Sequence, residues 1–154
     1  MAELSAGILM YRRVAGEAQV LLVHPGGPFW RNKDEGAWSI PKGEYGEGEN
    51  ALAVAKREFA EELGIDAPSG EYRALGEVRQ RGGKVVTAFA AEGDVDVSEV
   101  RSNTFEIEWP PKSGKHASFP EIDKAEWFTL AEARVKILGS QLPFINGFEN
   151  QLDK

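Results

Sequence analysis

Residues 43–65 read GEYGEGENALAVAKREFAEELGI, and the spacing of their charged and apolar residues is the strongest indication of function in the chain. On a helix that turns about 100° per residue, Glu58, Glu61 and Glu62 fall within an arc of roughly 100°. Four apolar residues form a separate stripe, typical of a helix packed on a sheet: Leu52, Ala55, Phe59 and Leu63. Like charges three and four residues apart destabilise a helix, and no lysine separates these carboxylates. The pattern therefore indicates a bound divalent cation, and hard oxygen ligands favour Mg²⁺ or Mn²⁺ over zinc.

The same stretch resembles the Nudix box, a motif of spaced glycine, glutamate and arginine positions. Nine residues fill every specified position of that motif: Gly43, Glu49, Arg57, Glu58, Phe59, Glu61, Glu62, Gly64 and Ile65. The alternative interpretation is a solvated acidic helix, but exposed helices normally intersperse lysine for i, i+4 support. The resemblance implies an α/β fold, the Nudix α/β/α sandwich with a mixed β-sheet between helices, in a single domain over residues 1–154.

Length, charge and cysteine content limit the classes of function. The 154 residues fit one domain, with 42% apolar and 28% charged residues as in an ordinary globular protein. Eighteen basic against 25 acidic residues give a formal charge of −7, which argues against a polynucleotide partner. No apolar run approaches the roughly 18 residues of a membrane span, so no membrane partner is expected. The absence of cysteine excludes disulfides and thiolate metal sites and favours a reducing cytoplasm.

Strand and helix signals extend over most of the chain. Six segments have strand-like patterns: residues 5–12, 20–24, 71–80, 84–91, 104–109 and 125–128. Two turn signals join the first four of them in pairs: residues 15–16 and 81–83. Asn50 is predicted to cap the box helix and Gly64 to end it. Thr129 and Glu132 form a capping-box pattern that opens another helix. A last helical segment is predicted near residues 141–150, interrupted by proline and glycine.

The acidic helix face suits the hydrolysis of a pyrophosphate bond. That reaction needs metal ions to neutralise the phosphates and activate a water, and a carboxylate to accept the proton of the water. The resemblance implies that Glu58, Glu61 and Glu62 bind the metal together with the backbone carbonyl of Lys42. It places Glu58 or Glu61 nearest the attacking water and leaves open which glutamate is the base.

Further site residues follow from the same resemblance. Arg57 points away from the metal face, so an orienting ion pair is its expected role. Glu49 and Gly43 are interpreted as architectural residues of the turn into the helix. Nudix proteins often add a glutamate six residues before a tryptophan that begins the final strand. Glu121 stands six residues before Trp127 and is the candidate for this metal ligand or base.

Two glutamates compete with Glu121 for that role. Glu106 and Glu108 are predicted to point to the same side of the 104–109 strand.

Basic and aromatic residues are the candidates for substrate binding. Five of them lie before or within the box: Trp30, Arg31, Lys33, Lys42 and Tyr45. Three further candidates for holding phosphate follow residues 110–111: Lys112, Lys115 and His116. Arginine is the better bidentate partner of a phosphate, and an aromatic ring can stack on a base. Trp30 is the preferred stacking residue, whereas Trp38 lies in a strand-like segment and is expected in the core.

The residues just before the Nudix box indicate a class of substrate. Residues 38–43, WSIPKG, resemble the corresponding segment of diadenosine tetraphosphate hydrolases. The favoured substrate is therefore a dinucleoside polyphosphate. Two features depart from those relatives, because the tyrosine expected 16 to 18 residues past the box is missing and residues 98–115 form an insertion. A nucleoside triphosphate or nucleotide-sugar pyrophosphatase is the enzymatic alternative. A non-catalytic nucleotide-binding module is the second alternative, although such modules tend to lose box glutamates.

Overall fold

A mixed β-sheet organises the computed structural model, which describes residues 3–80 and 82–152. The strands, numbered in chain order, are β1 Leu4–Val14, β2 Glu17–Pro25, β3 Lys42–Tyr45, β4 Tyr72–Arg79, β5 Val85–Glu92, β6 Thr104–Glu108, β7 His116–Pro120 and β8 Ile122–Thr129. The α-helices are α1 Ala51–Leu63, α2 Leu130–Lys136 and α3 Leu142–Leu152. All six predicted strands are therefore present, most of them shifted by a few residues at their ends.

Strand β1 lies at the centre of the main sheet. The order across the sheet is β4, β5, β1, β2, β8, and β1 runs parallel to β5 and antiparallel to β2. Strand β3 pairs antiparallel with the first residues of β1, from Leu4 to Gly7, and so shares one edge of β1 with β2. Positive φ angles of 53° at Ala15 and 83° at Gly16 form the predicted turn between β1 and β2. In the predicted turn at 81–83, residue 81 lies outside the described residues, and both glycines have positive φ.

Helices cover both faces of the sheet, which confirms the predicted α/β/α sandwich. On one face, Phe59 and Leu63 of α1 are buried against a cluster that includes Ile8 and Met10 of β1. Leu9, between them, faces the opposite cluster under α2 and α3, as expected for alternating strand residues. The predicted apolar stripe of α1 is largely correct, although Val54 is buried and Leu52 only half-buried.

The predicted helix caps are confirmed. The side chain of Asn50 accepts a hydrogen bond of 2.9 Å from the backbone N–H of Ala53, and Gly64 ends α1 with φ 68°. Thr129 and Glu132 form a complete capping box at the start of α2. The predicted interruption of the last helix is wrong. Pro143 lies in the first turn of α3, where its missing N–H has no partner to lose.

The insertion folds into a separate β-hairpin. Strands β6 and β7 pair antiparallel, from Thr104 opposite Pro120 to Glu108 opposite His116. Only the first of these strands was expected, because residues 116–120 are a short segment that ends in proline. The final strand begins at Ile122, so Trp127 lies near its end and not at its start. Within the part of the chain described, no helix is long and apolar enough to span a membrane.

Candidate active site

The start of the box is held against the box helix. Strand β3 begins at Lys42, whose backbone N–H donates a hydrogen bond of 3.2 Å to the Glu62 carboxylate. Gly43 follows, and a Cβ atom there would lie 2.1 Å from the carboxyl carbon of Glu58. Gly43 is therefore required by the close approach of Glu58 and not, as the sequence suggested, by the turn into the helix.

We expect Gly43→Ala to displace the Glu58 carboxylate and to lower kcat about 10- to 100-fold, because small misplacements of site groups are costly. The fold should survive, since the atoms in the way belong to the far end of a flexible side chain. Gly46→Ala is the matched control, because nothing lies within 4 Å of a Cβ at Gly46. Steady-state kinetics and thermal unfolding of both variants check this prediction. Equal activities of the two variants would contradict it.

Arg57 connects two box glutamates. Its guanidinium lies 3.4 Å from Oε1 of Glu49 and 3.6 Å from Oε1 of Glu58. Glu49 also accepts a hydrogen bond of 2.8 Å from the backbone N–H of Gly46, and this bond lowers the pKa of Glu49. Ion pairs this exposed contribute little to stability. The arrangement therefore suits the orientation of the Glu58 carboxylate more than the stabilisation of the helix.

The carboxylates on this face repel one another in partly buried positions. Burial is the main cause that raises the pKa of Glu62 to about 8, opposed by the hydrogen bond and charge of Lys42. Burial and the charge of Glu61 raise the pKa of Glu58. The charge of Glu121 contributes a smaller increase to the pKa of both Glu58 and Glu62. Such a set of acidic groups favours either protons or a cation.

The raised pKa of Glu62 predicts a pH dependence of stability in a chelating buffer. The folded protein holds the Glu62 proton between pH 4.5 and about 8, whereas the unfolded chain releases it. The free energy of unfolding should therefore fall as the pH rises through this range. One pKa unit corresponds to about 1.4 kcal/mol. Because Glu62 keeps some contact with solvent, the free energy of unfolding should fall by less than the full shift implies, by roughly 2–4 kcal/mol.

Urea unfolding at pH 5 and pH 8 measures this slope in the wild-type protein and in Glu62→Gln. In the variant, the free energy of unfolding should depend less on pH than in the wild-type protein, because the Glu62 carboxyl group is absent. Glu47→Gln removes the same charge from the exposed loop before α1 and should keep the slope. Identical slopes in wild type and Glu62→Gln would show that Glu62 does not hold a proton in the fold.

The donor atoms of this face suit Mg²⁺ better than a metal that needs a closed protein cage. In the described residues, no group of three or more histidine, aspartate or glutamate side chains is gathered closely enough to hold a metal ion. Mg²⁺ usually keeps several waters and takes only one or two carboxylates together with substrate phosphates. Glu58 and Glu62 supply oxygen donors of the type that this ion takes, and water and substrate phosphates would have to fill its other positions.

A cavity of about 200 Å³ opens beside Glu62. Glu62 and Glu121 both line it, together with Trp30 and Lys42. The rest of the wall is mostly apolar: Val23, Pro25, Ala37, Ser39, Ile40, Ile122 and Leu138. A cavity with apolar walls and a few converging charged groups is the usual form of a small-molecule site.

The backbone of Glu121 is fixed on both sides. This residue forms the single-residue joint between β7 and β8. Its N–H donates a hydrogen bond of 2.8 Å to the carbonyl of Asn103, and its carbonyl accepts one of 2.9 Å from Gly26. Glu121 thus lines the same cavity as Glu62 without movement of a loop.

Other predicted site residues lie elsewhere. Arg31 and Lys33 line a second cavity of about 420 Å³, on the His24 side of the loop. Tyr45 packs against the hydrophobic cluster under α1.

The rival glutamates lie on the hairpin. Glu106 lies 3.6 Å from His116 across the hairpin, and Glu108 accepts a hydrogen bond of 2.8 Å from the backbone N–H of Lys112. Neither glutamate lines the cavity beside Glu62.

Two buried polar residues that support the cavity were not expected from the sequence. Gln141 is fully buried. Its side-chain oxygen accepts a hydrogen bond of 3.1 Å from the backbone N–H of Ile40, and its side-chain nitrogen donates one of 3.0 Å to the hydroxyl of Ser39. His24 is buried between Asp123, at 2.8 Å, and the carbonyl of Lys33, at 2.6 Å. The only available signal was His24, a single polar residue at the end of an apolar run. Both residues hold the strand and loop that form the cavity wall.

Comparison with known proteins identifies the family. The model described as the NUDIX domain matches residues 1–146, so the chain belongs to the Nudix family. No curated protein sequence matches the chain closely enough to count as a relative.

Solved structures with little sequence identity share the fold. The C. elegans Ap4A hydrolase binary complex has 22% identity and a TM-score of 0.62, with 97% of this chain and 98% of that chain covered. The NUDIX domain of Shewanella oneidensis NrtR, complexed with ADP ribose, has 18% identity and a TM-score of 0.66, with 99% and 89% covered. The MutT protein from Methanosarcina mazei Go1 has 21% identity and a TM-score of 0.62, with 99% and 96% covered.

Proposed function

We propose that this protein hydrolyses a pyrophosphate bond of a dinucleoside polyphosphate with the help of Mg²⁺ or Mn²⁺. The observation that carries the proposal is the cavity in which Glu62 and Glu121 converge with Trp30 and Lys42. This cavity contains acidic groups that could bind a metal ion. It also contains an aromatic ring and a cation that could bind a nucleotide. The fold shared with an Ap4A hydrolase and the WSIPKG segment at residues 38–43 support this substrate class.

Each acidic residue has a distinct proposed role. Glu58 and Glu62 would hold the metal with the Lys42 carbonyl, and exposed Glu61 would complete the set from the outer side of the same helix face. When bound, the metal supplies charge neutralisation at the phosphates and a more acidic water. Glu58 or Glu61 would accept the proton of the attacking water, since both lie on the helix face that would hold the metal.

Trp30 and Lys42 have different proposed roles in substrate binding. Trp30 is half-buried in the wall and offers a ring on which a base can stack. The Lys42 ammonium is held near Glu62 and Lys84, and burial lowers its pKa. A phosphate beside this ammonium would replace solvent as its partner. Arg31, Lys33 and Tyr45 stay predictions as substrate contacts, since the first two line the other cavity and the third packs on the core.

A panel of nucleotides assayed with Mg²⁺ tests this proposal. Diadenosine tetraphosphate should be hydrolysed with a higher kcat/KM than nucleoside triphosphates, ADP-ribose and nucleotide sugars. Identification of the products by chromatography locates the broken bond. A preference for triphosphates or nucleotide sugars would favour the alternative pyrophosphatase, which would use the same acidic face. The cytoplasm stays the proposed compartment, on the basis of the cysteine-free sequence.

A further inference from the structure

We infer that the aromatic pair formed by Phe29 and Trp109 is a second nucleobase-binding platform, outside the cavity that takes the first nucleoside. The inference rests on the proposed function and assigns a role to the β6–β7 hairpin. Phe29 belongs to the loop after β2, and Trp109 follows the last residue of β6. Their ring centroids are 5.5 Å apart at an interplanar angle of 84°, which is an edge-to-face contact.

Phe29 is open to solvent at an unusual place. Its exposure is 63%, and across residues 3–80 and 82–152 only Val14 and Val135 are comparably exposed large apolar residues. A single exposed apolar side chain needs no explanation by itself. Phe29, however, directly precedes Trp30, which lines the cavity beside Glu62 and Glu121. Phe29 therefore belongs to the same loop as a residue that lines the candidate active site.

The hairpin holds the aromatic pair in a fixed position. A Cβ at Gly27 would lie 2.9 Å from the Phe105 ring, and a Cβ at Gly26 would lie 1.9 Å from the carbonyl oxygen of Pro120. The N–H of Gly26 also donates to the carbonyl of Glu121 at 2.9 Å. The loop and the hairpin are thus in backbone contact at Glu121, which lines the cavity beside Glu62. These contacts fix the backbone of the loop that carries Phe29, which reduces the conformational freedom that is lost when a base stacks on its ring.

One face of the hairpin is apolar and turned towards the protein. Five half-buried residues alternate with exposed ones along the two strands and the position after β6: Phe105, Ile107, Trp109, Ala117 and Phe119. The rings of Phe105 and Phe119 lie 6.1 Å apart on this face of the hairpin. The insertion is therefore a folded support for Trp109 and not a loose loop.

The size of the cavity requires a second position for a dinucleotide. Sites that enclose a drug-sized ligand measure about 300–1,000 Å³, whereas this cavity measures about 200 Å³. It can enclose part of one nucleoside, so the second nucleoside of a dinucleoside polyphosphate must lie outside it. Stacking on an aromatic ring accepts any base, because every base has a flat π-face. Phe29 is the exposed ring nearest in sequence to the cavity wall.

Two ligands with the same phosphate chain test the inference. Diadenosine tetraphosphate has two nucleosides, whereas adenosine 5′-tetraphosphate has one. Phe29→Ala should weaken binding of the first ligand roughly 5- to 100-fold and leave binding of the second unchanged, as expected for the loss of one stacked base. Trp109→Ala should have a smaller effect of the same kind, and Phe29→Tyr should restore binding. Val135→Ala, an exposed apolar residue on α2, is the control and should change neither ligand.

Binding is measured by calorimetry in the Glu62→Gln background, so the result does not depend on turnover. The inference is overturned if that protein binds the two ligands equally well, or if Phe29→Ala weakens both to the same extent. Thermal unfolding excludes loss of the hairpin as the cause. Failure of the proposed function has a different signature, because the wild-type protein would then bind the dinucleotide without cleaving it or would prefer another substrate class.

Discussion

Glu62→Gln is expected to lower kcat on the order of 10³-fold while the protein stays folded. Glu62 is the box glutamate that contacts the start of β3, and its carboxylate lines the cavity with Glu121. The amide keeps the size of the side chain but removes a negative charge that a metal ion needs. Loss of one group that stabilises charge in a transition state typically costs about 10²–10³-fold, and loss of a metal ligand adds the cost of a weaker ion site.

The controls separate loss of chemistry from loss of structure. The variant should be at least as stable as wild type in a chelating buffer at pH 8, because the ionised Glu62 is unfavourable there. Activity should not recover at saturating Mg²⁺ or Mn²⁺. Glu47→Gln, with the same change of charge on an exposed loop, should retain activity. Wild-type turnover of Glu62→Gln at saturating Mg²⁺ would overturn the assignment of this face to the metal.

Much of the acidic helix could be predicted because its signals are local. The spacing of Glu58, Glu61 and Glu62 along one helix requires only the helical repeat. The caps at Asn50 and Gly64 depend on residues within one turn of the helix ends. These features are specified by neighbours in sequence, and the structure has them at the predicted positions.

The rest of the site depends on contacts that are distant in sequence. Strand β3 has four residues and no strand-like composition, and it exists because its backbone pairs with β1. Gln141 approaches Ser39 from a position 102 residues later in the chain. The sequence offered Arg31 and Lys33 as phosphate ligands on proximity alone, yet their loop turns them towards the second cavity. Local patterns thus predicted the acidic groups, whereas tertiary packing determines which cations and rings lie near them.

Gly43 shows why a correct motif can be given the wrong physical reason. The sequence places it before a helix, where glycine commonly serves a turn. In the structure it lies within β3, and the space beside its Cα is filled by the carboxylate of Glu58. The same residue therefore links the sheet to the acidic face, and its role can be tested at the level of catalysis.

Glu121→Gln is expected to lower kcat about 10²–10⁴-fold while KM changes little. The charge of Glu121 acts on both Glu58 and Glu62, and its side chain lines the same cavity, so it can serve as a metal ligand or as a base. A general acid–base group contributes about 10²–10⁴-fold. A fall in kcat without a change in KM is the mark of an interaction made chiefly in the transition state.

The position of Glu121 makes this prediction sharper than the sequence alone allowed. Both backbone polar groups of the residue are hydrogen-bonded, to Asn103 and Gly26, so the substitution should not shift the chain. Glu106→Gln and Glu108→Gln remove the same charge from the hairpin, outside the cavity, and should cost less than about threefold in kcat. The pH profile of kcat adds a second criterion, because loss of a base removes the corresponding acidic limb. Near wild-type turnover in Glu121→Gln, together with an inactive Glu106→Gln or Glu108→Gln, would contradict this prediction. It would assign the catalytic glutamate to the hairpin and not to the joint between β7 and β8.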